Sequence, residues 1–288
     1  MFRATYYKGK HYLLFHWKTI FKFSIEKKTN YDTLHTDEKR GVTMIKAYAK
    51  SDIGKARDIN QDNYYITEDQ FSHTQIFILA DGMGGYNGGE LASKLAVSCT
   101  KSYIENNIAD TPRDKESLIQ LIGSSVEYAN MVVYEKSLEN KELTGMGTTL
   151  EVCLIYNSRA YIAHIGDSRV YRIRKGLIRQ LTQDHSYVET LVKQGTITKE
   201  EAKTHPKKNM ITKALGCNAF VEPDVMVRGF QKEDILVICS DGLTNMVSGE
   251  EIFNIVTNNF ETAPKELVDL ANQNGGIDNI TIITIKNL

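Results

Sequence analysis

Ile76-Phe77-Ile78-Leu79-Ala80-Asp81-Gly82-Met83-Gly84-Gly85 is an apolar run, short enough for a buried strand, that ends abruptly in a carboxylate and glycines. Such a strand delivers Asp81 to a rim. The design recurs at Ile235-Leu236-Val237-Ile238-Cys239-Ser240-Asp241-Gly242, so two strands far apart in sequence each end in Asp-Gly. Paired in one fold, the two carboxylates repel each other unless a proton or a cation lies between them. Hard divalent cations take oxygen ligands, and a glycine after the aspartate lets the backbone come close enough to offer a carbonyl as well. The expectation is a metal held at strand ends.

Upstream of this stretch, Ile45 to Ala49 reads as a strand, residues 51–63 as a polar turn and Tyr64 to Ile66 as a second strand. Arg57 and Asp62 lie close together in that turn: a guanidinium is a planar fork for phosphate, and a carboxylate beside it can hold a metal facing the same phosphate. On their own the two are a weak signal, since an Arg and an Asp on one loop are more often just a solvated pair. Downstream, Leu91, Leu95, Cys99 and Tyr103 mark one face of a helix from Glu90 to Ile108. A second helix opens at Thr111-Pro112-Arg113-Asp114 with Thr111 as cap, its buried stripe carried by Leu118, Leu121, Ile122, Ala129, Val132 and Val133. Strands follow at Leu150 to Tyr156, Arg159 to Ile165, Arg169 to Arg174 and Leu177 to Leu181. Gly166-Asp167-Ser168-Arg169 interrupts them with another carboxylate, for which spacing leaves a tight turn and a ligand equally open. Residues 184–215 turn helical and irregular, with a capping box from Thr198 to Glu201 and a breaker at Pro206, as a flap between strands does. Strands return at Asp224 to Phe230 and Asp234 to Ser240, helices are announced at Ser248 and Thr262, and Gly275-Gly276-Ile277-Asp278-Asn279 leads into a last strand from Ile280 to Ile285.

The 288 residues are enough for a large core in one strand-rich domain. Charge is near balance overall but unevenly spread: nine Lys/Arg against four Asp/Glu in residues 1–43, and 26 against 32 in the rest. An acidic body argues against broad nucleic-acid binding and fits metal ligands. Cys99, Cys153, Cys217 and Cys239 are too scattered for a zinc site or a disulfide framework, which points to a reducing cytoplasm. No stretch has the ~18 uncharged apolar residues needed to cross a bilayer. Residues 1–43 hold the only tryptophan, Trp17, in an alternating run Phe15, Trp17, Phe21, Phe23 that reads as a lone strand. They are expected to be an appendage or an over-extended gene start before a catalytic domain at 44–288, with a membrane-surface segment as the alternative.

Arg57 with Asn60-Gln61-Asp62, Ala80-Asp81-Gly82-Met83-Gly84-Gly85, Gly145-Met146-Gly147-Thr148-Thr149, Gly166-Asp167-Ser168-Arg169, Ser240-Asp241-Gly242-Leu243 and Asp278-Asn279 together resemble the ordered motif set of the metal-dependent, type 2C serine/threonine protein phosphatases, in their bacterial branch. The resemblance covers Met44 to Leu288. It implies an α+β fold in which two antiparallel β-sheets form a sandwich with helices on both outer faces, four layers in the order αββα. It implies two Mn2+ or Mg2+ ions, with Asp81 bridging them, the Gly82 carbonyl on one, Asp241 and Asp278 on the other and Asp62 at or just behind them. Asp167 would take a weaker third ion, and Arg57 the substrate phosphate. The implied reaction is hydrolysis of phosphoserine and phosphothreonine on proteins by a metal-bridged hydroxide, opposing a cognate bacterial serine/threonine kinase, in a cytoplasmic monomer with no nucleic-acid partner. One departure stands out. Relatives place a histidine acid where this chain has Met83 or Tyr86, so the leaving oxygen must take its proton elsewhere, and His164 and His185 read as structural. A hydrolase of small phosphorylated metabolites would share the site chemistry and differ only in the groove.

Overall fold

The computed structural model describes residues 44–67, 74–84 and 88–288; the aromatic run at 15–23, Gly85 and Tyr86 lie outside them. In chain order the strands are β1 (Ile45–Asp52), β2 (Asp62–Ile66), β3 (Thr74–Met83), β4 (Gly147–Thr148), β5 (Leu150–Tyr156), β6 (Arg159–Ile165), β7 (Arg169–Arg174), β8 (Leu177–Gln180), β9 (Asp224–Gly229), β10 (Ile235–Cys239) and β11 (Ile280–Asn287). The helices are α1 (Gly88–Asn107), α2 (Lys115–Glu139), α3 (Tyr187–Lys193), α4 (Lys199–Thr204), α5 (Asp241–Thr244), α6 (Gly249–Asn258) and α7 (Ala263–Gln273). One antiparallel sheet runs β1-β11-β10-β7-β8; the other runs β2-β3-β5-β6-β9, with β4 on the end of β3.

Period-two alternation divides the interior into three layers. Ile76, Ile78 and Ala80 of β3 pack against α1 and α2, whereas Phe77 and Leu79 join Cys153, Ile162, Leu236, Ile238 and Ile283 between the sheets. On the far side, Ile235, Val237 and Cys239 meet Ile252, Val256, Leu267 and Val268 of α6 and α7. Each fully buried aliphatic or aromatic side chain contributes roughly 1.5–3 kcal/mol, and the three layers give the four-layer αββα sandwich that the resemblance implied.

Three local expectations are corrected. The two strands bearing Asp81 and Asp241 do not pair with each other: β3 and β10 lie in opposite sheets, and β3 runs through Asp81 to Met83 instead of stopping at the carboxylate. α1 buries Ala92, Ser93, Ala96, Val97, Thr100 and Ile104, while Leu91, Leu95, Cys99 and Tyr103 flank that face half-buried. Small residues let this helix approach the sheet closely, a preference that hydrophobicity alone does not reveal. α2 is capped by Asp114, whose carboxylate accepts from Ser117 N at 2.9 Å and Ser117 Oγ at 2.8 Å. Thr111 instead closes the preceding segment by donating to the Asn107 carbonyl at 2.8 Å.

Candidate metal centre

At one end of the sandwich the inter-sheet faces change from apolar to charged. Phe77 and Leu79 are followed on the same face of β3 by Asp81, and the register of β2 sets Asp62 directly opposite it. Two cross-strand carboxylates are unfavourable unless something neutralises them. Ser240 donates to Asp62 Oδ2 at 2.9 Å, while Asp62 Oδ1 is buried with no hydrogen-bond partner. Across the cleft, Asp241 opens α5 and accepts from Asn245 Nδ2 at 3.0 Å.

The loops around these residues are held by the residues of the motif set. Thr149 clamps the Asp81 backbone: Asp81 N donates to Thr149 Oγ1 and Thr149 N to the Asp81 carbonyl, both at 2.9 Å. Thr149 Oγ1 also shares a hydrogen bond of 2.9 Å with Ser168 Oγ. Gly166, at φ +111°, packs where a Cβ would lie 2.5 Å from Thr149 Cγ2, so the turn presses Asp167 towards Asp81. Asn279 ties the 53–61 loop to Asp278. Its Nδ2 donates to the Ile53 and Ile59 carbonyls at 2.9 and 3.0 Å, and its Oδ1 accepts from Gln61 N at 2.8 Å. Arg57 thereby comes to Asp278 Oδ2 at 2.8 Å, half exposed at the mouth; its partner is Asp278, not the Asp62 of its own turn.

The electrostatics are those of an uncompensated acidic cavity. Burial pushes Asp62 up to about 7, with Asp241 and Asp278 adding to it against hydrogen bonds from Thr281 and Ser240. Asp81 is raised well above the carboxylate range, first by burial and then by Asp62, Asp241, Asp167 and Asp278. Burial, then Asp241 and Asp184, raise Asp167 to about 7, and burial with Asp278 raises Asp241 to about 6. Among the described residues no three acidic, histidine or cysteine side chains close around one point as ligands. Cations of the magnesium type keep several waters and need only one or two carboxylates each. The orphaned Asp62 oxygen and the mutual repulsion of the aspartates fit such ions.

Further groups emerge that spacing did not reveal. Glu151 and His164 face each other across β5 and β6 with no exposure, and the carboxylate contacts His164 Nδ1 while Nε2 meets the Gln183 carbonyl at 2.8 Å. Burial opposes a charged imidazole, but the Glu151 carboxylate prevails and raises His164 to about 9. His185 stacks on His164 with ring centroids 4.6 Å apart and accepts from Gly166 N at 3.1 Å. The two histidines predicted as structural are therefore both engaged. Their partners lie on other strands, which sequence proximity cannot show. They also anchor the start of the 184–215 flap, where Arg169 grips Asp184 through Nε and Nη2 at 2.6–3.0 Å; the flap's other end is held by Thr148 N donating to the Leu215 carbonyl at 3.1 Å. Met83 is paired with Gly147 at the end of β3 and offers no ionisable group.

Residues 55–273 match the family model described as protein phosphatase 2C. The chain is 40% identical over 247 residues to a putative protein phosphatase 2C-type of Streptococcus pyogenes, covering 84% of this chain and 98% of that one. A serine/threonine phosphatase of Staphylococcus aureus is similar in structure with a TM-score of 0.80 and 35% identity, over 88% of this chain and 100% of that one. The catalytic domain of the serine/threonine protein phosphatase PstP, solved in complex with two manganese ions, superimposes with a TM-score of 0.73 and 33% identity, over 84% and 97% of the two chains.

Proposed function

Because this chain belongs to the protein phosphatase 2C family, and is by that membership a protein-serine/threonine phosphatase, we propose that it removes phosphate from phosphoserine and phosphothreonine with Asp81, Asp241, Asp278, Asp62 and the Gly82 carbonyl holding two Mn2+ or Mg2+ ions. The observation that carries this reading is the facing of Asp62 and Asp81, with Asp62 buried and one of its oxygens unpartnered, within the electrostatic reach of Asp241. Cations held there would activate water at neutral pH and supply a counter-charge for the phosphate. Arg57 offers its fork to the phosphate from the mouth, and Asp278, its present partner, keeps it aimed there. Asn279, Thr149 and Ser240 hold the acidic groups in place before substrate arrives, so little reorganisation accompanies the reaction.

No imidazole is free to protonate the leaving oxygen among the described residues of the site, since His164 and His185 are bound within the flap anchor. The test is manganese-dependent phosphate release from a phosphothreonine peptide, a phosphotyrosine peptide and p-nitrophenyl phosphate. Release from the phosphothreonine peptide is expected, with little from phosphotyrosine peptide. Release from p-nitrophenyl phosphate with none from either peptide would overturn the protein-directed reading.

In this proposal Asp167 would hold a weaker third cation beside the flap and, through it, help supply the proton that the departing alkoxide needs. Asp167→Ala should lower turnover on the phosphothreonine peptide roughly 10- to 100-fold, and on p-nitrophenyl phosphate, whose phenolate leaves unaided, only severalfold. Equal losses on both substrates across a manganese titration would point to faulty assembly of the other ions instead.

Residues 44–288 are in this proposal the whole catalytic unit, acting as a cytoplasmic monomer against a serine/threonine kinase. The support for these bounds is the family match, which begins at residue 55. A chain starting at Met44 is expected to keep wild-type kcat/KM on a soluble phosphopeptide and its melting temperature within a few degrees. A large fall in either would place residues 1–43 within the working enzyme.

A further inference from the structure

β8 is the free edge of one sheet and β9 the free edge of the other, and arginines gather where β7 and β8 meet the end of β9. On β7, Val170 belongs to the inter-sheet core while Tyr171 and Ile173 face the helices, so Arg172 and Arg174 stand on the inter-sheet side. The register sets Arg172 opposite Arg179 of β8. Met226 packs into the inter-sheet core from β9, and Arg228, two residues on, shares its face. Arg172 Nη1 and Arg174 Nη2 both reach the Gly229 carbonyl, at 3.5 and 2.9 Å, which brings β7, the neighbour of β8, against the end of β9.

This cluster is short of acid. Asp234 is taken by Arg174, whose Nε donates to it at 2.6 Å, and Glu233 pairs with Lys286 at 3.0 Å. Among the described residues Arg172, Arg179 and Arg228 form no ion pair. Like charges directly opposite each other on paired strands are destabilising. Burial, then Arg174, with Arg179 and Arg228 after it, holds the Arg172 guanidinium below its usual range despite Asp234. Asp234 offsets only part of this repulsion, and an external anion would offset more of it.

We propose that the Arg172, Arg179 and Arg228 seam binds a second phosphorylated side chain of the substrate protein while the first occupies the aspartate cluster. The inference rests on the protein-phosphatase reading and extends it to substrate choice. Guanidinium forks match the oxygens of a phosphate, and three of them surround one dianion. A long polyanion is disfavoured because residues 44–288 carry 26 Lys/Arg against 32 Asp/Glu. Five residues separate Asp167 from Arg172, at most roughly 17 Å of chain, so a second phosphate up to about five residues away on an extended substrate segment reaches from one site to the other.

The experiment uses the full chain with manganese and two peptides of one sequence, one bearing a single phosphothreonine and one bearing a second phosphate five residues away. Wild type is expected to show a lower KM for the doubly phosphorylated peptide, with similar kcat for both. In the triple variant Arg172→Gln, Arg179→Gln, Arg228→Gln that advantage should vanish, a rise in KM of roughly tenfold, as loss of charge-assisted contacts to one phosphate predicts. Kinetics on the singly phosphorylated peptide and on p-nitrophenyl phosphate should stay unchanged, which also shows that the variant is folded. The matching triple lysine variant should recover part of the advantage. Equal KM for the two peptides in wild type overturns the proposal, as does an equal rise for both in the variant. Capture of a DNA or RNA oligonucleotide by wild type, lost in the variant and competing with the doubly phosphorylated peptide, also overturns it in favour of a nucleic-acid surface. Failure of wild type to hydrolyse either peptide while still cleaving p-nitrophenyl phosphate tells against the protein-phosphatase reading instead.

Discussion

Asp81→Asn and Asp241→Asn are each expected to cut phosphate release by roughly a thousandfold or more while the protein still folds. Both side chains sit in a cavity where neighbouring carboxylates already repel them, so their charge is a cost to the metal-free fold and an asset only to bound cations. Two opposite responses follow. Metal-free Asp81→Asn should melt at or above the temperature of metal-free wild type, and manganese should stabilise the variant far less. The sign of the pH dependence agrees. Asp62 and Asp167 at about 7 and Asp241 at about 6 hold protons in the fold that an unfolded carboxylate, at 3.8, releases. Their contribution to metal-free stability is thus complete below about 3.8 and disappears as pH rises through about 7, and removing Asp81 should flatten that fall. Calorimetric scans with and without chelator over this window, beside turnover assays, measure all of it. Near wild-type rates in either variant at confirmed metal occupancy would falsify the two-cation centre.

The second large effect comes from two glycines beside the proposed ligands. A Cβ on Gly242 would lie 2.0 Å from the Asn279 carbonyl oxygen, and one on Gly82 would lie 2.1 Å from the Gly89 carbonyl oxygen. Both obstacles are backbone, one in the loop just before β11 and the other in the first turn of α1, so no side chain can swing aside. Gly82→Ala and Gly242→Ala should each destabilise the protein by more than about 3 kcal/mol and abolish activity through misplacement of Asp81 or Asp241. Gly249→Ala, with open space around it, is the matched control and should be close to neutral. Denaturant midpoints for the three variants decide the matter. A mild effect at Gly82 would mean that α1 yields where it meets the sheet.

The glycine after each aspartate was legible as a backbone requirement, but the neighbour that imposes it was not. Sequence suggested a carbonyl freed for metal; the structure adds that α1 and the 279 loop press against those positions. Strand and helix identity could be read because period and turn chemistry are local, and most elements fall where alternation and caps place them. Long-range register could not be read. Nothing local says that Asp62 faces Asp81, that Glu151 faces His164, or that the strands carrying Asp81 and Asp241 enter different sheets. The buried face of α1 eluded the hydrophobic pattern for another reason: at a close helix–sheet contact, Ala92, Ser93 and Ala96 are selected for size, and apolarity scales give small residues little weight. Asp167 shows the reverse case, a turn that spacing left undecided and that Thr149 and Ser168 tie to Asp81.

The two ends of the described chain close on each other, with Leu288 N donating to the Met44 carbonyl at 2.9 Å and Ile45 opposite Asn287. That arrangement determines how the enzyme bears mechanical load. Tension applied at Met44 and Leu288 falls on one rung of the β1–β11 ladder at a time, peeling the edge strand like a zipper from Ile45 inward instead of shearing all its rungs together. The last rung, Asp52 against Ile280, is the one next to the aspartate end, where Asp52 also accepts from Gly54 N and Asn272 Nδ2 at 2.9 and 3.0 Å. A chain pulled at Met44 and Leu288 therefore yields first at the pole farthest from its aspartates. Slight tension between those two residues, or a short linker joining them, leaves the aspartate pole undisturbed.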